Sequence, residues 1–153
     1  MSNASAAVLP ASRRPVDPRG PRFGAAVTTV VLIAALVTVG TTVGTVLIAW
    51  QTVAFALGAL VGLQAQPYGV LFRRLVRPRL APPAELEDPA APRFAQAVGL
   101  LFMVVALIAS LTGITIVATI AVALALAAAF LNAAFNFCLG CEMYLLGARL
   151  RRS

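Results

Sequence analysis

The sequence predicts an all-α fold: an integral membrane four-helix bundle made of two tandem helical hairpins. Three observations carry that prediction. Of 153 residues, 61% are hydrophobic and only 11% are charged, and the mean hydropathy of +0.94 lies far above that of a soluble domain. The charges fall in three clusters, which leaves Phe23 to Phe72 and Phe94 to Cys141 without one Asp, Glu, Lys, Arg or His. Each of these runs is interrupted near its middle by a cluster of Gly and Thr.

A crossing needs about 20 apolar residues, so each charge-free run holds two crossings and a tight turn. Backbone groups inside lipid must pair internally, which admits only helices or a closed barrel. Runs of Ala, Leu and Val without polar alternation exclude the barrel. The expected tips are "VGTTVGT" (Val39 to Thr45) and "LTGIT" (Leu111 to Thr115). They give crossings at roughly 23–42, 45–66, 94–112 and 114–138.

The expected organisation, in chain order, begins with a polar, Pro-containing tail over 1–22. Met1 to Gly20 lacks the apolar core of a cleavable signal peptide. The first transmembrane hairpin follows over 23–72, then a Pro-rich loop over 73–93 that reads as extended and semi-rigid. The second hairpin, 94–148, ends in a CxxC pair, and a basic tail, 149–153, closes the chain.

All twelve basic residues are arginines. They lie before the first hairpin (Arg13, Arg14, Arg19, Arg22), in the central loop (Arg73, Arg74, Arg77, Arg79, Arg93) and in the tail (Arg149, Arg151, Arg152), with none at the two tips. Basic loops stay cytoplasmic, so the expected topology is N-in and C-in in the cell membrane. Lipid headgroups account for this charge. Nucleic acid is not an expected partner, because no binding module accompanies the arginines.

An internal repeat underlies the two hairpins. "DPRGPRFGAAV" (Asp17 to Val27) and "DPAAPRFAQAV" (Asp88 to Val98) agree at seven of eleven positions with an offset of 71 residues. In each copy Asp suits a cap, Pro the first helical turn, Arg the headgroup level and Phe the interface. Two parallel hairpins related by a pseudo-two-fold axis along the membrane normal are the expected arrangement.

The same offset lays "QPYGV" (Gln66 to Val70) on "FCLGC" (Phe137 to Cys141), so that only the second half carries thiols. Cys138 and Cys141 are the candidate redox pair. Cysteines at i and i+3 lie within reach of a disulfide if the backbone relaxes, and in a reducing compartment a reversible dithiol is favoured over a permanent bridge. Their reactivity turns on the helix. If the fourth span runs unbroken to Gly147, the sulfurs meet the negative end of its dipole beside Glu142; if Gly140 breaks it, they sit at a helix N-terminus that favours a thiolate. Two packing cysteines in a helix seam are the alternative. The chain has no histidine and no other cysteine. It cannot complete a zinc site alone, so no metal or cofactor is expected. A four-cysteine site would require two subunits.

Asn132 and Asn136 stand one turn apart on the fourth span, on a stripe with Ala129, Ala133, Gly140 and Gly147, away from the cysteines. Amides in hydrocarbon need partners, so both are expected to face the bundle interior. They form either a packing seam or the polar wall of a substrate path.

The ordered segments "VDPRGPRF", "LFRRLVRPRL", "EDPAAPRFAQAVGL" and "FNFCLGCEMYLL" resemble the small actinobacterial membrane proteins of the domain-of-unknown-function 4395 family, over nearly all of the chain after Val16. That resemblance supplies no activity. It implies an association with thioredoxin-like proteins and rhodanese-like sulfurtransferases, hence with thiol or sulfur metabolism, and marks Cys138 and Cys141 as the residues to test. Three function classes follow. One is a thiol-redox or sulfur relay with a cytosolic partner. The second is a small transporter or channel for a sulfur species, as a homodimer because four helices leave little lumen. The third is a non-catalytic anchor or assembly subunit.

Overall fold

The structure, a computed structural model, describes residues 13–153. The first twelve residues of the expected tail lie outside the described part. Among the described residues six α-helices form: α1 (Arg19–Val37), α2 (Thr42–Ala56), α3 (Pro67–Leu71), α4 (Ala90–Leu111), α5 (Thr115–Phe135) and α6 (Leu139–Arg152). A π-helical turn, Leu57–Val61, prolongs α2. Among the described residues four helical stretches are long and apolar enough to cross a membrane: Arg19–Val37, Thr42–Val61, Ala90–Leu111 and Thr115–Phe135. The chain is therefore a helical membrane protein, as its hydropathy predicts.

The first three spans start and stop one to five residues earlier than expected, and the fourth starts one residue later and stops three earlier, for chemical reasons. Asp17 and Asp88 each accept the backbone N–H two residues on, from Arg19 at 3.0 Å and Ala90 at 2.8 Å. The helices thus begin directly after the Asp-Pro pairs rather than at the first phenylalanine. The second span ends at Gly62, whose φ of 137° no residue with a Cβ adopts comfortably. The loop read as extended over 73–93 is partly helical: π and 3-10 turns carry the backbone from Phe72 through Arg79.

The two hairpins pack crosswise, α1 against α2 and α5, and α4 against α2 and α5. Leu32, Ile48, Met103 and Val122 are fully enclosed, among buried alanines at 35, 54, 106, 118, 121 and 125. Small residues let backbones approach, and in lipid, where apolar side chains gain little by leaving hydrocarbon, close packing is what holds helices together. The outward faces carry Val30, Leu101, Ile108 and Ile116, all exposed as a lipid contact requires.

Both tips lie at one end of the bundle, where Gly40 of the first turn faces Thr115 of the second. The arginine-bearing segments meet at the other. There the two hairpins exchange side chains. Arg93, in the first turn of α4, donates from Nε to the Ala59 carbonyl at 2.8 Å and from Nη2 to the Leu60 carbonyl at 3.1 Å. Arg22, at the start of α1, donates to the Ala133 carbonyl near the end of α5 at 3.2 Å. Each guanidinium caps carbonyls that the end of the other hairpin's helix leaves open. The aromatic contacts at this end pair alike, Phe23 with Phe72 at 5.7 Å and Phe94 with Tyr144 at 5.8 Å between ring centroids.

Candidate functional site: a dithiol at a helix root

The fourth span breaks, but not at Gly140. Helix α5 ends at Phe135, and Asn136 takes a left-handed conformation with φ 53° and ψ 31°. The amide of Asn136 returns to the Asn132 carbonyl at 3.1 Å and that of Phe137 to the Leu131 carbonyl at 3.3 Å. This is a left-handed (αL) helix ending. Asparagine is among the few residues with a side chain that tolerate it. Asn136 is therefore exposed at the helix terminus and does not face the bundle interior; Asn132 is half-buried, and the expected stripe stops there. The apolar and amide periodicity was correct only as far as the helix that generates it.

Two residues beyond Asn136 a new helix starts on Cys138. Its backbone is extended (φ −90°, ψ 102°), and its Sγ accepts the Cys141 N–H at 3.3 Å. The sulfur thus does what a serine oxygen does at a helix start, satisfying an amide that has no carbonyl of its own. Cys138 and Cys141 are joined by a disulfide, with their Cα atoms 5.2 Å apart. Both residues are half-buried.

Gly140 explains how α6 docks. It is buried, and a Cβ there would lie 2.6 Å from both Cα and Cβ of Ala95 on α4. Only glycine permits so close an approach, which holds the cysteine-bearing turn against the base of the second hairpin. Beyond it α6 carries Met143, Leu146 and Leu150 exposed, with Arg149, Arg151 and Arg152 in its last turn. Glu142 stands in its first turn.

A second polar arrangement escapes periodicity reasoning. Gln51, fully enclosed in α2, accepts a hydrogen bond from the Tyr68 hydroxyl at 2.8 Å and donates to Thr28 Oγ1 at 3.4 Å. Trp50 Nε1 donates to the same Tyr68 oxygen at 3.0 Å. This chain ties α1, α2 and α3 together. The available signal was Gln51 itself, an amide well inside an apolar span; its partners come from elements that only the fold brings near.

The fold and this turn together define a class: four-span helical membrane proteins with a disulfide rooted at the start of a short terminal helix. The chain belongs to the family described as Domain of unknown function (DUF4395), whose model matches residues 16–149. No curated protein and no solved structure matches the chain.

Proposed function

We propose that this protein is a dithiol–disulfide relay of the cell membrane, with both termini cytoplasmic and Cys138 and Cys141 exchanging electrons with a soluble thioredoxin-like or rhodanese-like protein. The observation that carries the reading is the position of Cys138 at the root of α6, its sulfur on the Cys141 amide. A thiolate released at that atom keeps a hydrogen-bond donor and meets the positive end of the α6 dipole, both of which favour the charged form. Clustering of the arginines at this end supports the cytoplasmic assignment through the positive-inside rule.

The exchange balances as follows. A thiolate of the reduced partner attacks Cys138 Sγ, and the Cys138–Cys141 bond breaks with its electron pair leaving on Cys141, which takes up a proton. The partner's second thiol, deprotonated, then attacks the mixed disulfide and frees Cys138. The partner dithiol has lost two electrons and two protons, and the membrane dithiol holds them. Run in reverse, the same steps oxidise the membrane pair.

The test is a trap. Cys141→Ser protein should form a covalent adduct with a thioredoxin whose attacking cysteine is activated as a mixed disulfide, and Cys138→Ser protein should not. Equal labelling of both variants, or of neither, would remove the reading.

The polar chain from Trp50 through Tyr68 and Gln51 to Thr28 favours a second reading, a small transporter or channel, because it sets enclosed polar groups midway along the first hairpin. Flux of a sulfur oxyanion into liposomes that disappears in Gln51→Leu protein would support it, and absence of flux would end it.

A further inference from the structure

A cavity of about 350 Å³ opens at the arginine-rich end, between the start of α1, the 62–66 turn, α3 and Gln96 of α4. Its walls carry Arg73 and Arg77 beside one carboxylate, Asp17. That carboxylate is already held by Arg19, Nη2 to Oδ2 at 2.8 Å. The space is therefore strongly positive. Arg73 is oriented by a bond to the Gln64 carbonyl at 2.6 Å, which engages one of its nitrogens and leaves the others for a ligand.

Two amides complete the lining. Gln66 is 5% exposed, and its oxygen is taken by the Gly69 amide at 2.8 Å, so that its NH2 group remains as a donor. Gln96 is the complementary case: its Oε1 is buried and lacks any donor. That oxygen is packed against Gly58, where an added Cβ would lie 2.6 Å from it, so a ligand hydroxyl in the cavity reaches it once the amide turns about its last bond, and the hydrogen bond gained is one the buried acceptor otherwise lacks.

The space is lined mostly by the first hairpin and its flanking segments, with Gln96 supplied by the second. A Cβ on Gly24 would find its nearest neighbour, Tyr68 Cβ, 3.8 Å away, whereas at the positions 71 residues on, Gly140 is pressed onto Ala95. The second hairpin fills this position with α6. The first keeps it open.

We infer that this cavity binds a phosphate ester bearing a free hydroxyl: the phosphate on Arg73 and Arg77, the hydroxyl on Gln96. Guanidinium forks match phosphate oxygens in geometry and charge. Such a group could arrive as the headgroup of phosphatidylglycerol, since the arginines lie at headgroup level, or as a soluble glycerol phosphate. The inference rests on no part of the thiol reading.

The experiment uses the full chain in nanodiscs of phosphatidylcholine. Glycerol 3-phosphate is titrated calorimetrically, and in parallel thermal unfolding is followed as phosphatidylglycerol replaces phosphatidylcholine. Saturable binding of the soluble ester identifies a cytosolic ligand; stabilisation by phosphatidylglycerol alone identifies the lipid. Either supports the site, provided that Arg77→Gln weakens the response roughly tenfold while Arg149→Gln on α6 leaves it unchanged. Gln96→Leu should abolish the preference for glycerol 3-phosphate, or for phosphatidylglycerol, over the corresponding methyl phosphate or phosphatidylmethanol. No response to either ligand, or equal losses in the Arg77 and Arg149 variants, would overturn the proposal.

Discussion

Val16 and Glu87 exchange both of their backbone hydrogen bonds, each 2.9 Å long, in an isolated antiparallel bridge. They are separated by the same 71 residues that separate the two "DP…PRF" motifs. A residue bonded reciprocally to its own counterpart is what a two-fold axis passing between them would produce. Buried positions at the same spacing, Leu32 with Met103, Ala35 with Ala106 and Ala54 with Ala125, are consistent with it.

The bridge sits beside Asp17, and its acid sensitivity follows. Hydrogen bonding from the Arg19 side chain holds the Asp17 carboxyl below its ordinary value. A carboxyl depressed in the folded state contributes stability that is present above its unfolded value and disappears as pH falls through the folded one. Hydrogen exchange at the Val16 and Glu87 amides should accelerate, relative to the intrinsic rate, as pH is lowered below about 4. Asp17→Asn should flatten that dependence; an unchanged profile would disprove the assignment.

Glycines 140 and 147 should respond in opposite ways. Gly140→Leu drives a side chain into the Ala95 backbone, and overpacking of this kind costs about 1–3 kcal/mol. Gly147 has nothing within 4 Å of an added Cβ, so Gly147→Ala should be neutral or stabilise α6 by roughly 0.5–1 kcal/mol. Limited proteolysis after Arg149 and thermal unfolding would report both; similar behaviour of the two variants would contradict the docking described.

Tyr68→Phe removes the acceptor of Trp50 and the donor to Gln51 while preserving the ring. The chain has a single tryptophan, so the emission of Trp50 should shift to the blue without a change in helix content by circular dichroism. Gln51→Ala should be more severe, at about 1–3 kcal/mol for each buried group left unpaired. Unfolding in a denaturing detergent titration measures the difference.

Asn136 governs where the cysteines stand. Asn136→Gly keeps the left-handed residue and should leave the alkylation rate of the reduced thiols within about twofold. Asn136→Val places a β-branched residue at φ 53°, a conformation it strongly resists. It should prolong α5 at the expense of the turn, remove Cys138 from the α6 start and slow alkylation at Cys138 more than at Cys141. Equal rates in both variants would dissociate the break from thiol reactivity.

The four spans were legible because lipid leaves the chain few choices: charge-free runs of sufficient length must be helices, and the Gly-Thr clusters mark their turns. The Asp-Pro motifs were legible as helix-start chemistry, and the Asp17 and Asp88 carboxylates do take the amides of Arg19 and Ala90, four residues before the phenylalanine at which each span was expected to begin. The break was not. Phe135 to Cys141 reads as one apolar run, and nothing local ranks Asn136 above Gly140 as the stopping point. Gly140 is needed instead for contact with Ala95, 45 residues earlier in the chain. The cavity and the Gln51 chain were equally hidden, since each draws on separate elements whose meeting depends on how the hairpins cross.

Hydropathy and charge alone determined that this chain is helical, membrane-borne and sorted with its arginines at one end, because solvation by lipid acts on each residue independently of its distant neighbours. Where the sulfurs stand, which glycine is a hinge and which a contact, and where space is left open were decided by the packing of one hairpin on the other. Steric exclusion between backbones is a property of pairs, and the pairs exist only once the bundle has formed.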